Sequence, residues 1–218
     1  MSLISKFLAL CYIFLLVGSM SVLYAQEPSS KNESSVKIVR IGNSADGVGI
    51  TMGVYSPFHE EMKGVYGGAF TLSGQYSLNM SLSTDLLASV GFIRKVGNPY
   101  YDDPSFTSGD HSKISIIPIE ISIRKRFSLM KYPPRGLFIG AGMNYMRVSE
   151  KIPNIVSSTG GDFGTHIFIG PQLFLRDGLA FEGEIKLLMN EVDMKSANLR
   201  YPVTLSGLII KAGLMWYY

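Results

Sequence analysis

Three groups of residues in the sequence could do chemistry. Between Tyr100 and Lys113, Asp102, Asp103, Asp110 and His111 lie close together in a run that also holds Tyr101 and Pro104. Carboxylates beside an imidazole can ligate a divalent cation or exchange a proton. No ligand spacing recurs there, and His111 has no second histidine near it, so the run reads as a solvated loop. His166 is the second candidate, because a histidine beside a hydroxyl makes a nucleophile dyad. No His-x-Ser arrangement supplies that hydroxyl on a predicted strand. The third group is patterned: Glu120 and Arg124, then Glu182, Glu184 and Lys186, then Lys211, each set falling on alternate residues. Alternate residues of a strand share a face, so these charges read as ion pairs on one side of a sheet. Gly47-Val48-Gly49 lacks the downstream helix that a dinucleotide-binding turn requires. No catalytic residue, cofactor site or metal ligand is assigned, and no enzymatic activity is expected.

The elements that must hold those charges are unusually apolar. The 218-residue chain is 46% hydrophobic and only 17% charged, where soluble domains carry roughly 25% charged residues. Its aromatic content argues against disorder, and a single Cys excludes a disulfide framework. A net charge of +3 without any block of like charge gives nucleic acid nothing to bind.

Residues 1–25 have the pattern of a secretory leader: Lys6, an apolar run from Phe7 to Val17, then Gly18, Ser19 and Ser21 before Ala25. Cleavage before Gln26 is expected. An acidic, Ser-rich segment follows in place of a basic stop-transfer flank. Cys11 lies early in the apolar run, so it is not a lipidation site, and the exported chain is Cys-free. Residues 26–45 are expected to form a periplasmic lead-in and residues 46–218 the folded domain.

Beyond residue 26 no apolar run is long enough for a membrane helix, and hydrophobicity instead alternates with period two. Ile117, Ile119, Ile121 and Ile123 interleave with Pro118, Glu120, Ser122 and Arg124. Leu208, Ile210, Ala212, Leu214, Trp216 and Tyr218 form one face of the last segment. The pattern predicts eight strands, over 48–55, 65–78, 85–96, 114–127, 136–148, 165–175, 179–192 and 203–218. Pro118 and Pro171, which lack a ladder donor, are expected at bulges. Longer connections (56–64, 97–113, 149–164, 193–202) alternate with shorter ones (79–84, 128–135, 176–178). Long loops on one rim and short turns on the other are expected of an outer-membrane barrel with both ends of the chain in the periplasm.

The leader, these alternating strands and the ending Leu208-Ile209-Ile210-Lys211-Ala212-Gly213-Leu214-Met215-Trp216-Tyr217-Tyr218 resemble the small eight-stranded outer-membrane β-barrel proteins of Gram-negative bacteria, a porin-family type. The resemblance spans residues 45–218. It implies an all-β, antiparallel, up-and-down transmembrane barrel in the outer membrane, in contact with lipid and lipopolysaccharide. It also implies that the last strand, with Leu214, Trp216 and Tyr218, is the signal read by the barrel-assembly machinery. Tyr218 stands where Phe is more usual.

Eight strands enclose a space that side chains can fill. Thr51, Thr71, Ser73, Gln75, Ser77, Ser122, Asn144, His166 and Gln172 are predicted to line it, with Glu120 and Arg124 paired to each other and Glu182, Glu184 and Lys186 beside Lys211. Tyr55, Phe127, Tyr145 and Trp216, near strand ends, suit an interfacial girdle. The expectation is a monomeric barrel with a filled lumen and a structural or adhesive role, an extracellular ligand being met through loops at 100–113 and 156–164. The alternative is a narrow porin-like channel for small solutes.

Overall fold

The computed structural model describes residues 45–97, 112–130, 135–151, 157–176, 178–196 and 199–218. The leader, most of the lead-in and the Tyr100–His111 run lie outside the described residues.

The described elements, in chain order, are β1 (Gly47–Pro57), helix α1 (Glu60–Tyr66), β2 (Ala69–Ser81), β3 (Thr84–Gly97), β4 (Ser112–Met130), β5 (Arg135–Lys151), β6 (Ser158–Arg176), β7 (Leu179–Met189), β8 (Glu191–Ser196), β9 (Leu199–Thr204) and β10 (Gly207–Tyr217). Each of β1 to β7 pairs antiparallel with its chain neighbour, and β10 lies between β7 and β1, which closes the ring at eight strands. Closure leaves none of the open sheet edges that lipid does not tolerate. We call the end bearing Ala45 and Tyr218 the lower end.

Alternation sets which side chains face out. On β4, Ile121 and Ile123 are 60% and 45% exposed while Glu120 and Arg124 beside them are 6% and 1% exposed, and on β10 Trp216 is 64% exposed. A soluble sheet buries the isoleucines and exposes the charges. Here the order is inverted on all sides of the ring, which requires an apolar medium outside.

Four expectations are corrected. Residues 65–68 do not begin the second strand, because Val65 and Tyr66 end α1. The sixth strand begins at Ser158, so 158–164 is sheet, not loop. Residues 193–202 are not a loop either: β8 and β9 form a hairpin that prolongs β7 and β10 beyond the ring, and β8 also pairs with β6 at Thr159 and Gly160. The seam between ring and hairpin is held by the Leu205 amide on the Asn190 carbonyl at 3.0 Å and the Asn190 amide on Ser206 Oγ at 3.0 Å. Finally, the prolines are not at bulges. The β3–β4 register is the same on either side of Pro118, and the β6–β7 register the same on either side of Pro171. Each proline lies opposite a glycine, Gly91 and Gly183, and at Gly91 a Cβ would fall 2.8 Å from the Pro118 ring, so the missing Cβ makes room there.

The tight turn between β6 and β7 uses Gly178 at φ 77°, a conformation that suits glycine. The upper third of the interior is apolar, which the polar inward faces did not lead us to expect. Tyr55, Ile93, Ile116, Met146, Leu188 and Ile209 pack there, and Met62 and Val65 of α1 rest against them.

Candidate functional site

The interior below that packing holds two ionic layers. In the lower one, Arg124 of β4 donates from Nη1 to both carboxylate oxygens of Glu182 on β7, at 3.0 and 2.9 Å. Its Nε donates to Asp85 of β3 at 3.0 Å, and its Nη2 to the Tyr217 hydroxyl at 2.9 Å. That hydroxyl in turn donates to Glu182 at 2.7 Å, and Gln172 donates to the same carboxylate at 2.7 Å. Arg126 pairs with the other oxygen of Asp85 at 2.8 Å. Two guanidinium groups thus face two carboxylates, and the layer is neutral.

In the upper layer Lys186 bridges Glu120, at 2.5 Å, and Glu184, at 3.2 Å, while Lys211 reaches Glu184 at 3.2 Å. Ser89 donates to Glu120 at 2.8 Å. This layer is neutral as well. Removing one member of a buried pair leaves an uncompensated charge, so each layer is stable only as a set. The tilted rings of Phe138 and Phe168, 6.1 Å apart between centroids, separate the two layers. Arg124 sits 5.2 Å from the Phe138 centroid and Lys186 Nζ 5.4 Å from that of Phe168, so each cation also meets an aromatic face.

The six predicted ion-pair residues all lie inside the ring; Glu184 lies beside Lys186 and Lys211, but Glu120, Arg124 and Glu182 take other partners. Glu120 and Arg124 do not pair with each other: four residues along a strand is about 13 Å, which puts them in different layers. Each instead crosses the lumen to β7, Glu120 to Lys186 and Arg124 to Glu182. Sequence reasoning missed Asp85, a lone acid at a strand start whose only signal is its alternation with Leu87. It also missed Tyr217, Phe138 and Phe168, which read as generic apolar positions.

His166 does meet a serine, contrary to expectation. Its Nε2 lies 2.7 Å from Ser122 Oγ, and the Asn144 amide nitrogen lies 3.3 Å from its Nδ1. The two side chains come from β4 and β6, with Gly142 of β5 in register between them. A Cβ on Gly142 would fall 2.7 Å from Ser122 Oγ, so glycine is what lets them touch. An amide NH2 can only donate, which makes Nδ1 the acceptor and puts the proton on Nε2, a tautomer assigned from these partners. Nε2 then donates to Ser122, the reverse of the direction that activates a nucleophile. His166 is also fully buried. No group of three or more potential metal ligands occurs among the described residues.

Leu214, Trp216 and Tyr218 point outward, at 49%, 64% and 69% exposure. The Tyr218 amide donates to the Asp46 carbonyl at 2.9 Å, tying the end of the last strand to the start of the first.

No family model and no curated protein matches the sequence. Solved structures do match the fold. OprG of Pseudomonas aeruginosa aligns at TM-score 0.63 and 9% identity over 83% of this chain and 99% of that one. Neisserial surface protein A aligns at 0.52 and 13%, over 79% and 96%. AlkL, solved in DMPC lipid bilayers, aligns at 0.50 and 11%, over 88% and 97%. The chain has the fold of the small eight-stranded outer-membrane barrels.

Proposed function

We propose that the chain is an outer-membrane barrel with a sealed lumen, a wall that carries external segments and does not conduct. The observation that supports this most directly is the serial filling of the interior: a neutral ionic layer, an aromatic pair, a second neutral layer and an apolar plug. The charges within each of the two ionic layers are matched, and a passing solute would have to break a buried pair. In this reading the lower end faces the periplasm, the leader is removed on export, and the barrel acts as a monomer without enzymatic activity. The upper rim, lengthened by the β8–β9 hairpin and covered by α1, is then external. It suits a structural or adhesive role in which the 100–113 segment and the β5–β6 connection meet lipopolysaccharide or an extracellular ligand. Leu214, Trp216 and Tyr218 of β10 serve as the face presented to the barrel-assembly machinery.

Planar-bilayer recording of the purified, refolded chain is the test. Silence alongside a heat-modifiable band on gels is the expected result. Reproducible unit conductance would instead support the narrow channel.

A further inference from the structure

The outward faces of β3, β4 and β5 carry a one-signed patch at the upper rim. Arg94, Lys113, Arg147 and Lys151 are all exposed there, and no outward acid stands among them on these strands. The register fixes their arrangement. Lys113 lies directly opposite Lys151; one step below, Arg94, Ser115 and Ser149 form a row across the three strands; one step lower again, Arg147 lies opposite Ile117. Partners directly across an antiparallel pair sit roughly 5 Å apart, and like charges so placed destabilise the sheet. The Lys113–Lys151 pair carries that cost without an ion pair to any described residue. An anion from outside the chain would remove it.

The depth of the patch indicates which anion. Immediately below Arg147 on the same face, Tyr145 packs on Phe163 with centroids 5.1 Å apart, and below Ile117 the β4 face is isoleucine down to Ile123. Aromatic rings mark the interface of a barrel with its bilayer. The four cations and the two paired serines therefore sit one to three residue pairs above the apolar band, at headgroup level. Beyond β6, β8 presents Glu191, Asp193 and Lys195 outward, with Lys195 opposite Thr159 of β6, so charges of both signs follow there and the one-signed face is confined to β3, β4 and β5.

We propose that this face binds a phosphorylated lipid headgroup of the surrounding leaflet, with Arg94, Lys113, Arg147 and Lys151 holding the phosphates and Ser115 and Ser149 donating between them. The inference rests on the membrane-spanning reading above, and the two fail separately. Recovery of the chain in the soluble periplasmic fraction would sink the membrane reading. An inserted chain indifferent to lipid phosphate sinks only this proposal.

The experiment uses the full chain in phosphatidylcholine bilayers doped with either diphosphoryl lipid A or its dephosphorylated form, with bound lipid read by native mass spectrometry. Preferential retention of the phosphorylated form is expected. Each basic side chain near a charged surface contributes about 1 kcal/mol, so the Lys113→Gln, Lys151→Gln double variant should bind about 30-fold more weakly. Lys63→Gln, on α1 and outside these three strands, should bind as the unaltered chain does. Equal retention of both lipids overturns the proposal, as does a folded double variant with unchanged binding. Full displacement by inorganic phosphate would overturn the lipid assignment. The comparison of the two lipids needs no variant, so it stays decisive even if a variant misfolds.

Discussion

Lys186 shows how much of the lumen depends on single atoms. Its ammonium is the only described cation in contact with Glu120 and one of two in contact with Glu184. Lys186→Met keeps the volume but leaves Glu120 buried without a counter-charge, which costs about 3–5 kcal/mol. Urea unfolding from lipid vesicles should show that loss, and adding Glu120→Gln should restore more than half of it. An unchanged midpoint in the single variant would mean that the pair is not structural. Residue types on alternate positions told us that these side chains face inward. They could not tell us the partners, because the contacts cross the lumen between strands that are not neighbours. The same limit hid the Ser122–His166 contact, which depends on Gly142 lying between them.

At the scale of elements, period-two alternation located the seven strands from β1 to β7 and the core of β10, because each has one apolar and one polar or small face. It failed where tertiary contact decides. The α1 segment is seven residues long, too short for a 3.6-residue period to stand out from an alternating one. Residues 193–202 read as a loop for their charges and Pro202, yet they belong to a paired hairpin because β6 extends far enough to receive β8. β10 bears the heaviest load, since it pairs with both β1 and β7 and closes the ring. Leu214, opposite Ile50 and Phe181, faces the apolar medium. Leu214→Asp should cost less than the roughly 2–4 kcal/mol of a mid-plane Lys or Arg, but it acts on the closing strand. The expected outcome is a marked drop in the heat-modifiable fraction on gels, with a smaller drop for Tyr218→Ser. Full insertion of Leu214→Asp would contradict the orientation of β10.

For the whole molecule, the vertical order of the filling matters more than any one layer. The lower ionic layer, the Phe138–Phe168 pair, the upper ionic layer and the apolar packing under α1 are seals in series. Seals in series open only when all are breached. Arg124→Ala with Glu182→Ala clears the lower layer as a matched pair, and Glu120→Ala with Lys186→Ala clears most of the upper one. Either pair alone, and both together, should insert and remain electrically silent, because Tyr55, Ile116 and Met146 still block the upper third. Steps of conductance should appear only when that packing and the aromatic pair are also thinned, for example by Tyr55→Ala, Ile116→Ala and Phe138→Ala on the four-site background. Tyr55 is apt for this because its hydroxyl donates to the Leu205 carbonyl at 2.7 Å across the seam that joins ring and hairpin. Conductance from the lower-layer pair alone would show that the ionic layers act as gates, and the sealed-scaffold reading would give way to the narrow channel.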